Sequence, residues 1–145
     1  MILPPHASRL TPHGFFVTGT DTGVGKTLIC CALLHGFAAS GKSVIGMKPV
    51  AAGAVRIARG LINADVALLR AASNVDAPLA LVNPYCFEPP IAPHLAAEQA
   101  GAAIELATIV SAYRQLAAVA DIVIVEGIGG FCVPLNRSED SADLA

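Results

Sequence analysis

Charge is scarce in this sequence. Only 14% of its 145 residues are charged and the formal net charge is −2, so no broad field draws it to nucleic acid or to an anionic lipid surface. Any anion it binds must be held by a local site. No apolar stretch reaches the roughly 18 residues of a membrane span. Residues 1–13 contain prolines and histidines but no apolar run behind a basic start, so they do not read as a secretory signal. Metal-ligand spacing is also missing among Cys30, Cys31, Cys86 and Cys132, which read as reduced thiols in or near the core. What the chain has is apolar residues, at 54%, enough to exclude extended disorder and to fill the core of one domain. The expectation is a cytoplasmic protein with a flexible tail over 1–13 and one domain over 14–145.

The apolar residues are ordered by period. Phe15-Phe16-Val17-Thr18 is a short β-prone run ending in a glycine-containing turn from Gly19 to Gly25. From Lys26 the spacing becomes helical, with Leu28, Ile29, Ala32, Leu33, Gly36 and Phe37 on the repeat and Gly41 as a stop. Ser43 to Met47 reads as a second strand, closed by Lys48-Pro49, and Asn63 is placed to cap a helix over 64–72. Pro84, Pro89, Pro90 and Pro93 predict an extended, irregular loop from Val82 to His94. Leu106, Ile109, Val110, Tyr113, Leu116 and Ala117 mark one face of a further helix. Asp121 to Glu126 then reads as a fully buried strand, followed by Gly127-Ile128-Gly129-Gly130. Strands alternating with helices imply a mostly parallel sheet covered on both faces. Three strands make a small sheet with open edges, so further strands are expected beyond Ala145.

Gly19-Thr20-Asp21-Thr22-Gly23-Val24-Gly25-Lys26-Thr27 lies between the first strand and the first helix. A loop in that position turns backbone N–H groups inward, and the helix N-terminus adds partial positive charge. Lys26 can reach the β- and γ-phosphates of a nucleotide, and the Thr27 hydroxyl can ligate Mg²⁺. The common pattern would place its first glycine at position 20; here that position is threonine and the glycine stands at 19. These features define an α/β, P-loop NTPase-like three-layer fold.

In such a sheet the C-terminal strand ends share one edge, and ligands bind in the crevice there. Lys48 and Glu126 each follow an apolar run and converge on that crevice with the phosphate loop. Glu126 reads as a Mg²⁺ ligand or as a solvated strand-end carboxylate; the neighbouring Gly127, Gly129 and Gly130 suit close approach to a ligand. Lys48 could neutralise a transferring phosphoryl group or lie exposed. Asp65 could be a second metal ligand or a partner of its helix dipole. His94 follows a proline-rich stretch and reads as a surface or packing residue, with lining of a pocket as the alternative; His6, His13 and His35 show no metal pattern.

The wording of these stretches is more specific than their physics. Phe16 to Thr27, then Lys48-Pro49-Val50, then Val82-Asn83-Pro84-Tyr85 with Pro93-His94, and finally Val125-Glu126-Gly127 with Gly129-Gly130 resemble dethiobiotin synthetases in order and spacing. The resemblance runs over about residues 15–144, short of the family's C-terminal part. It implies an ATP- and Mg²⁺-dependent ligase that joins CO₂ to 7,8-diaminononanoate through a carbamate and a carbamic-phosphoric anhydride, working as a homodimer. It further implies that Gly23, Val24, Gly25, Lys26, Thr27, Leu28, Asp65, Glu126, Gly127, Ile128 and Gly129 hold ATP. Thr27, Asp65 and Glu126 would carry Mg²⁺, Thr22, Lys48 and Ala52 would meet the diamine, and Lys48 and Lys26 would be catalytic. The family often has glutamate at Gly23 and serine at Ala52. Two relatives of the same superfold share the opening motif: ATPase switches of the partitioning and septum-placement type, and amidoligases of cobalamin synthesis. The first often carry a basic or amphipathic element, and none is visible; the second would need a glutaminase domain downstream. The asparagine–proline–tyrosine stretch argues against both.

Overall fold

The computed structural model describes residues 13–145. In chain order the elements begin with β1 (His13–Val17), α1 (Lys26–Ala39), β2 (Val44–Met47), β3 (Val50–Ala51), β4 (Val55–Ile57), β5 (Gly60–Ile62) and α2 (Ala64–Ala72). They continue with α3 (Leu79–Val82), β6 (Tyr85–Cys86), α4 (Pro93–Gln99), α5 (Leu106–Ala117), β7 (Ile122–Glu126) and α6 (Ser141–Leu144). His13, assigned to the tail by the sequence, is instead the first residue of β1, paired with Ile122. The remainder of that tail assignment lies outside the described residues.

β1, β7 and β2 form a parallel sheet in that order, with β7 in the middle. A central strand is covered on both faces and hydrogen-bonded on both edges, which is why all five β7 residues are buried. The strands start together: the Asp121 carboxylate accepts from the N–H and hydroxyl of Ser43, while the Asp121 carbonyl accepts from the His13 N–H.

Side chains alternate across the sheet, and two clusters result. Val44, Ile122 and Ile124 pack with Cys30 and Leu34 of α1 and Leu69 of α2. Ile45, Met47, Val123 and Val125 pack instead with Val82 of α3 and with Ala112 and Leu116 of α5. Burying a leucine or isoleucine of this kind contributes about 1.5–3 kcal/mol. The layers are therefore helix, sheet, helix, as the alternation of elements predicts. Gly46 keeps α2 close to β2, since a Cβ there would lie 2.9 Å from the Leu69 Cβ.

Several expectations are corrected. Val82 to His94 is not an irregular loop: β6 pairs in parallel with β3, and Phe87 N–H bonds the Ala51 carbonyl. Pro93 opens α4 in the first turn, where its missing N–H is not needed. The hairpin of β4 and β5 and the short α6, capped by Asp140, were not foreseen. Their runs of three and four residues are too short to show a period. All four cysteines are free, but Cys132 is exposed and not near the core.

Candidate nucleotide-binding site

The sheet register brings the site together. Val17 lies opposite Glu126 and Met47 opposite Val125, so Lys48 emerges level with Glu126, beside the loop that leaves β1. That loop runs into α1 through Gly25, which takes φ 99° as the residue before the helix, a conformation that side chains disfavour. No side chain caps the α1 N-terminus, so its first-turn N–H groups remain available to an anion. The early glycine is required where it stands: a Cβ on Gly19 would approach the Val24 Cγ2 to 2.7 Å.

Lys26 is buried and folds back over this loop. Its Nζ donates to the Asp21 carbonyl at 2.5 Å and to the Gly129 carbonyl at 2.7 Å. The ammonium therefore joins the phosphate loop to the glycine turn after β7, at the mouth of the helix N-terminus.

A second buried cation lies deeper. Lys48 Nζ is 2.6 Å from Glu126 Oε1 and 3.0 Å from Asp65 Oδ2. The Thr27 hydroxyl donates to the same Glu126 Oε1 at 2.9 Å. Glu126 is 1% and Lys48 4% exposed, so each charge depends on the other for compensation. The solvated-carboxylate and exposed-lysine readings are thereby excluded. Asp65 is held from behind: Asn63 Oδ1 accepts from the N–H groups of Asp65 and Val66 and caps α2, which contributes about 1 kcal/mol. Asn63 Nδ2 also donates to the Ala52 carbonyl at 3.2 Å. Beneath the cluster, burial, helped by the nearby Glu126 carboxylate, pushes the Cys30 thiol up to about 12.

These donors fit a divalent cation of the magnesium type. Asp65 Oδ2 and Glu126 Oε1 meet at the Lys48 ammonium, Thr27 Oγ1 adds a third hard oxygen against Glu126 Oε1, and Glu126 Oε2 is buried with no partner among the described residues. Nowhere among the described residues do three or more His, Cys, Asp or Glu side chains form a metal cluster. Magnesium needs only one or two carboxylates when phosphate oxygens and water complete its shell.

A cleft of about 610 Å³ opens over these groups. From the phosphate loop and α1 it is lined by Thr22, Gly23, Gly25, Lys26 and Thr27, and from the strand ends by Lys48, Glu126, Ile128 and Gly129. Ala52 and Asp65 complete the residues anticipated from sequence. Three others do not line it. Val24 and Leu28 are exposed on the outer side of the loop and helix, and Gly127 faces the Phe16 ring, 3.1 Å from where its Cβ would be. The opposite wall was missed: Pro90, Ile91, Ala92, Pro93 and Val133 are apolar residues of segments without periodicity. Only the proline spacing hinted at a fixed strap there. His94, next to that wall, does not line the cleft; it is half-buried and its Nδ1 has no hydrogen-bond partner among the described residues.

A parallel sheet covered on both faces, a glycine loop feeding a helix N-terminus, and a lysine–threonine–carboxylate cluster at one sheet edge define a P-loop NTPase-like domain. A family model described as an AAA domain matches residues 13–145, and the chain belongs to that family. Among its curated relatives, an ATP-dependent dethiobiotin synthetase of Nitrosospira multiformis is 60% identical over 131 residues, covering 90% of this chain and 56% of the relative. The enzymes of the same name from Aromatoleum aromaticum and Xanthomonas oryzae are 54% and 47% identical, covering 92% and 93% of this chain. The chain spans 56–60% of the length of these relatives.

Proposed function

We propose that the protein is a dethiobiotin synthetase, an ATP- and Mg²⁺-dependent ligase that closes the ureido ring on 7,8-diaminononanoate with CO₂. The observation that carries this reading is the buried Lys48–Glu126 pair, 2.6 Å apart beside the phosphate loop, in a chain 47–60% identical to enzymes of that name. A phosphoryl-transfer site needs positioning and charge neutralisation more than covalent chemistry, and the cleft carries both.

In this reading the N–H groups of Gly23 to Leu28 and the Lys26 ammonium bind the triphosphate. Ile128 and Gly129 border it, Val24 and Leu28 contribute through the backbone and not the side chain, and Gly127 acts through backbone shape alone. Thr27, Asp65 and Glu126 would hold Mg²⁺, which when bound neutralises phosphate charge. One amine of the diamine adds to CO₂ and loses a proton, giving a carbamate. A carbamate oxygen attacks the γ-phosphorus, the bond to ADP breaks, and the carbamic-phosphoric anhydride forms. The second amine then attacks the carbonyl carbon and loses a proton, phosphate leaves with the bonding pair, and the ring closes.

Lys48 sits where the carbamate must lie to meet the γ-phosphate, and its ammonium balances the carboxylate-like charge there. Thr22 and Ala52 border the same space. The apolar wall of Pro90, Ile91 and Pro93 suits the aliphatic chain of the diamine. No helix among the described residues is long and apolar enough to cross a membrane; a cytoplasmic homodimer without nucleic-acid or membrane partners completes the proposal.

The test is phosphate release from ATP by the intact protein with bicarbonate, with and without the diamine. Release that requires both is expected. Equal release without the diamine would point instead to an ATPase switch.

A further inference from the structure

The asparagine–proline–tyrosine stretch has no part in the mechanism above, although its first residue is among the few polar side chains that the fold buries. Among the described residues the buried polar ones are Lys26, Lys48, Asn63, Asn83, Glu126 and Ser141. Three are the ions of the site, and Asn63 ties the Ala52 carbonyl to the α2 cap. Asn83 lies outside the cleft lining, so its burial has another cause.

That cause is the Lys48 carbonyl, which Asn83 bonds at the end of β2. Beyond β2 the chain leaves the main sheet and pairs with the segment after α3, Val50 opposite Tyr85. One residue before that pair stand Pro49 and Pro84, and neither has an N–H to donate. In the β3–β6 register the Tyr85 carbonyl faces the Ala51 N–H, but among the described residues no backbone N–H is bonded to the Lys48 carbonyl, which would cost about 1–3 kcal/mol if left buried and unpaired. The Asn83 side-chain amide supplies that bond: Nδ2 donates to the Lys48 carbonyl at 2.7 Å, and it donates to the Tyr85 carbonyl at 2.9 Å as well. The Lys48 N–H donates in turn to the Val82 carbonyl at 2.8 Å. Both backbone polar groups of Lys48 are thus held by residues 82 and 83.

We propose that Asn83 is the positioning residue for Lys48: its amide holds the Lys48 carbonyl, and so fixes the backbone from which the Lys48 ammonium reaches Glu126 and Asp65. The part of this concerning turnover rests on the function proposed above; the part concerning Lys48 geometry does not. Asn83 touches no reacting atom and acts through Lys48. The phosphate loop is built on β1 and α1 and does not depend on it.

Asn83→Asp tests the assignment in the intact protein, because it keeps the shape and replaces the two donors with oxygen. Asn83→Ser, smaller and neutral, is read in the same way if the aspartate variant fails to fold. The first measurement is reductive methylation followed by mass spectrometry. In the wild type Lys48 is protected while exposed Lys42 is modified; in the variants Lys48 becomes reactive and Lys26 keeps its wild-type rate. The second is turnover, where kcat falls roughly 100-fold, the scale expected for a catalytic group displaced by about 1 Å, while calorimetric ATP affinity stays within about twofold of wild type.

Continued protection of Lys48 in both variants overturns the proposal. So does a parallel loss of ATP affinity and kcat, which would mark Asn83 as a general support of the fold. Should the wild type release no diamine-dependent phosphate, the proposed reaction fails, and the methylation result still decides whether Asn83 positions Lys48.

Discussion

Replacing Lys48 with methionine keeps most of the side-chain volume and removes the ammonium. Glu126 is then left 1% exposed, with the Thr27 hydroxyl at 2.9 Å as its hydrogen-bond donor. Removing one member of a buried ion pair costs about 3–5 kcal/mol, because the remaining charge stays out of water. Two features favour the low end of that range. The Thr27 bond survives, and Asp65, whose side chain is 40% exposed, regains water when the lysine goes. The expected loss is therefore about 3 kcal/mol. With an m-value of about 2 kcal/mol per molar in urea, the unfolding midpoint should fall by about 1.5 M. Neutralising the orphaned carboxylate in the double variant, Lys48→Met with Glu126→Gln, should recover most of the loss. Urea unfolding of the four proteins of this cycle gives the coupling directly. A single-variant cost below about 1 kcal/mol, or a double variant that loses the sum of the two singles, would refute the mutual dependence of these charges.

Lys26→Ala should abolish ATP-dependent turnover and weaken nucleotide binding at least tenfold by calorimetry, while circular dichroism remains that of the wild type; an unchanged affinity would remove the phosphate-loop assignment. The cysteines give a pH-dependent prediction. Burial raises Cys30 from an ordinary 9.0 to about 12, so above pH 9 the unfolded chain releases a proton that the folded chain keeps. Stability from this group is complete below pH 9 and declines as pH rises toward 12. Thermal melts should show that decline, reduced in Cys30→Ala. A Cys30→Ala variant that declines as steeply as the wild type would refute the assignment.

The periodic parts of the fold were legible because burial imposes a period. α2, α5 and β7 bury a face or a whole strand, and their apolar residues recur accordingly; α1 is helical as expected, but it buries Lys26, Cys30 and Leu34, while Leu28, Ile29, Ala32 and Gly36 of the anticipated face are exposed. The phosphate loop was legible for a different reason: its chemistry demands particular residues in order. Neither reason applies to the wall at residues 90–93. Those residues contribute shape and dryness, which many apolar side chains can supply, and proline obscures any period. Leu28 shows the reverse error. Its backbone lies in the first turn of α1, but its side chain is 73% exposed, because nucleotide motifs specify N–H positions and say little about where a side chain points.

The convergence of Lys48, Asp65, Thr27 and Glu126 follows from parity, which was available in the sequence and went unused. On β7, Ile122 and Ile124 face α1 and α2; on β2, Val44 does the same. Glu126 and Lys48 share that even parity, so both must emerge on the α1–α2 side. The residues able to meet them are then those at the α1 and α2 N-termini, nearest the C-terminal ends of the strands, and these are Thr27 and Asp65. For the same reason the arrangement tolerates no slip. Shifting β7 by one residue against its neighbours would turn Glu126 toward Ala112 and Leu116 and send Val125 to the cleft, exchanging a compensated charge for a buried, unpaired one. The apolar alternation that stabilises the sheet therefore also holds the carboxylate on the cleft side.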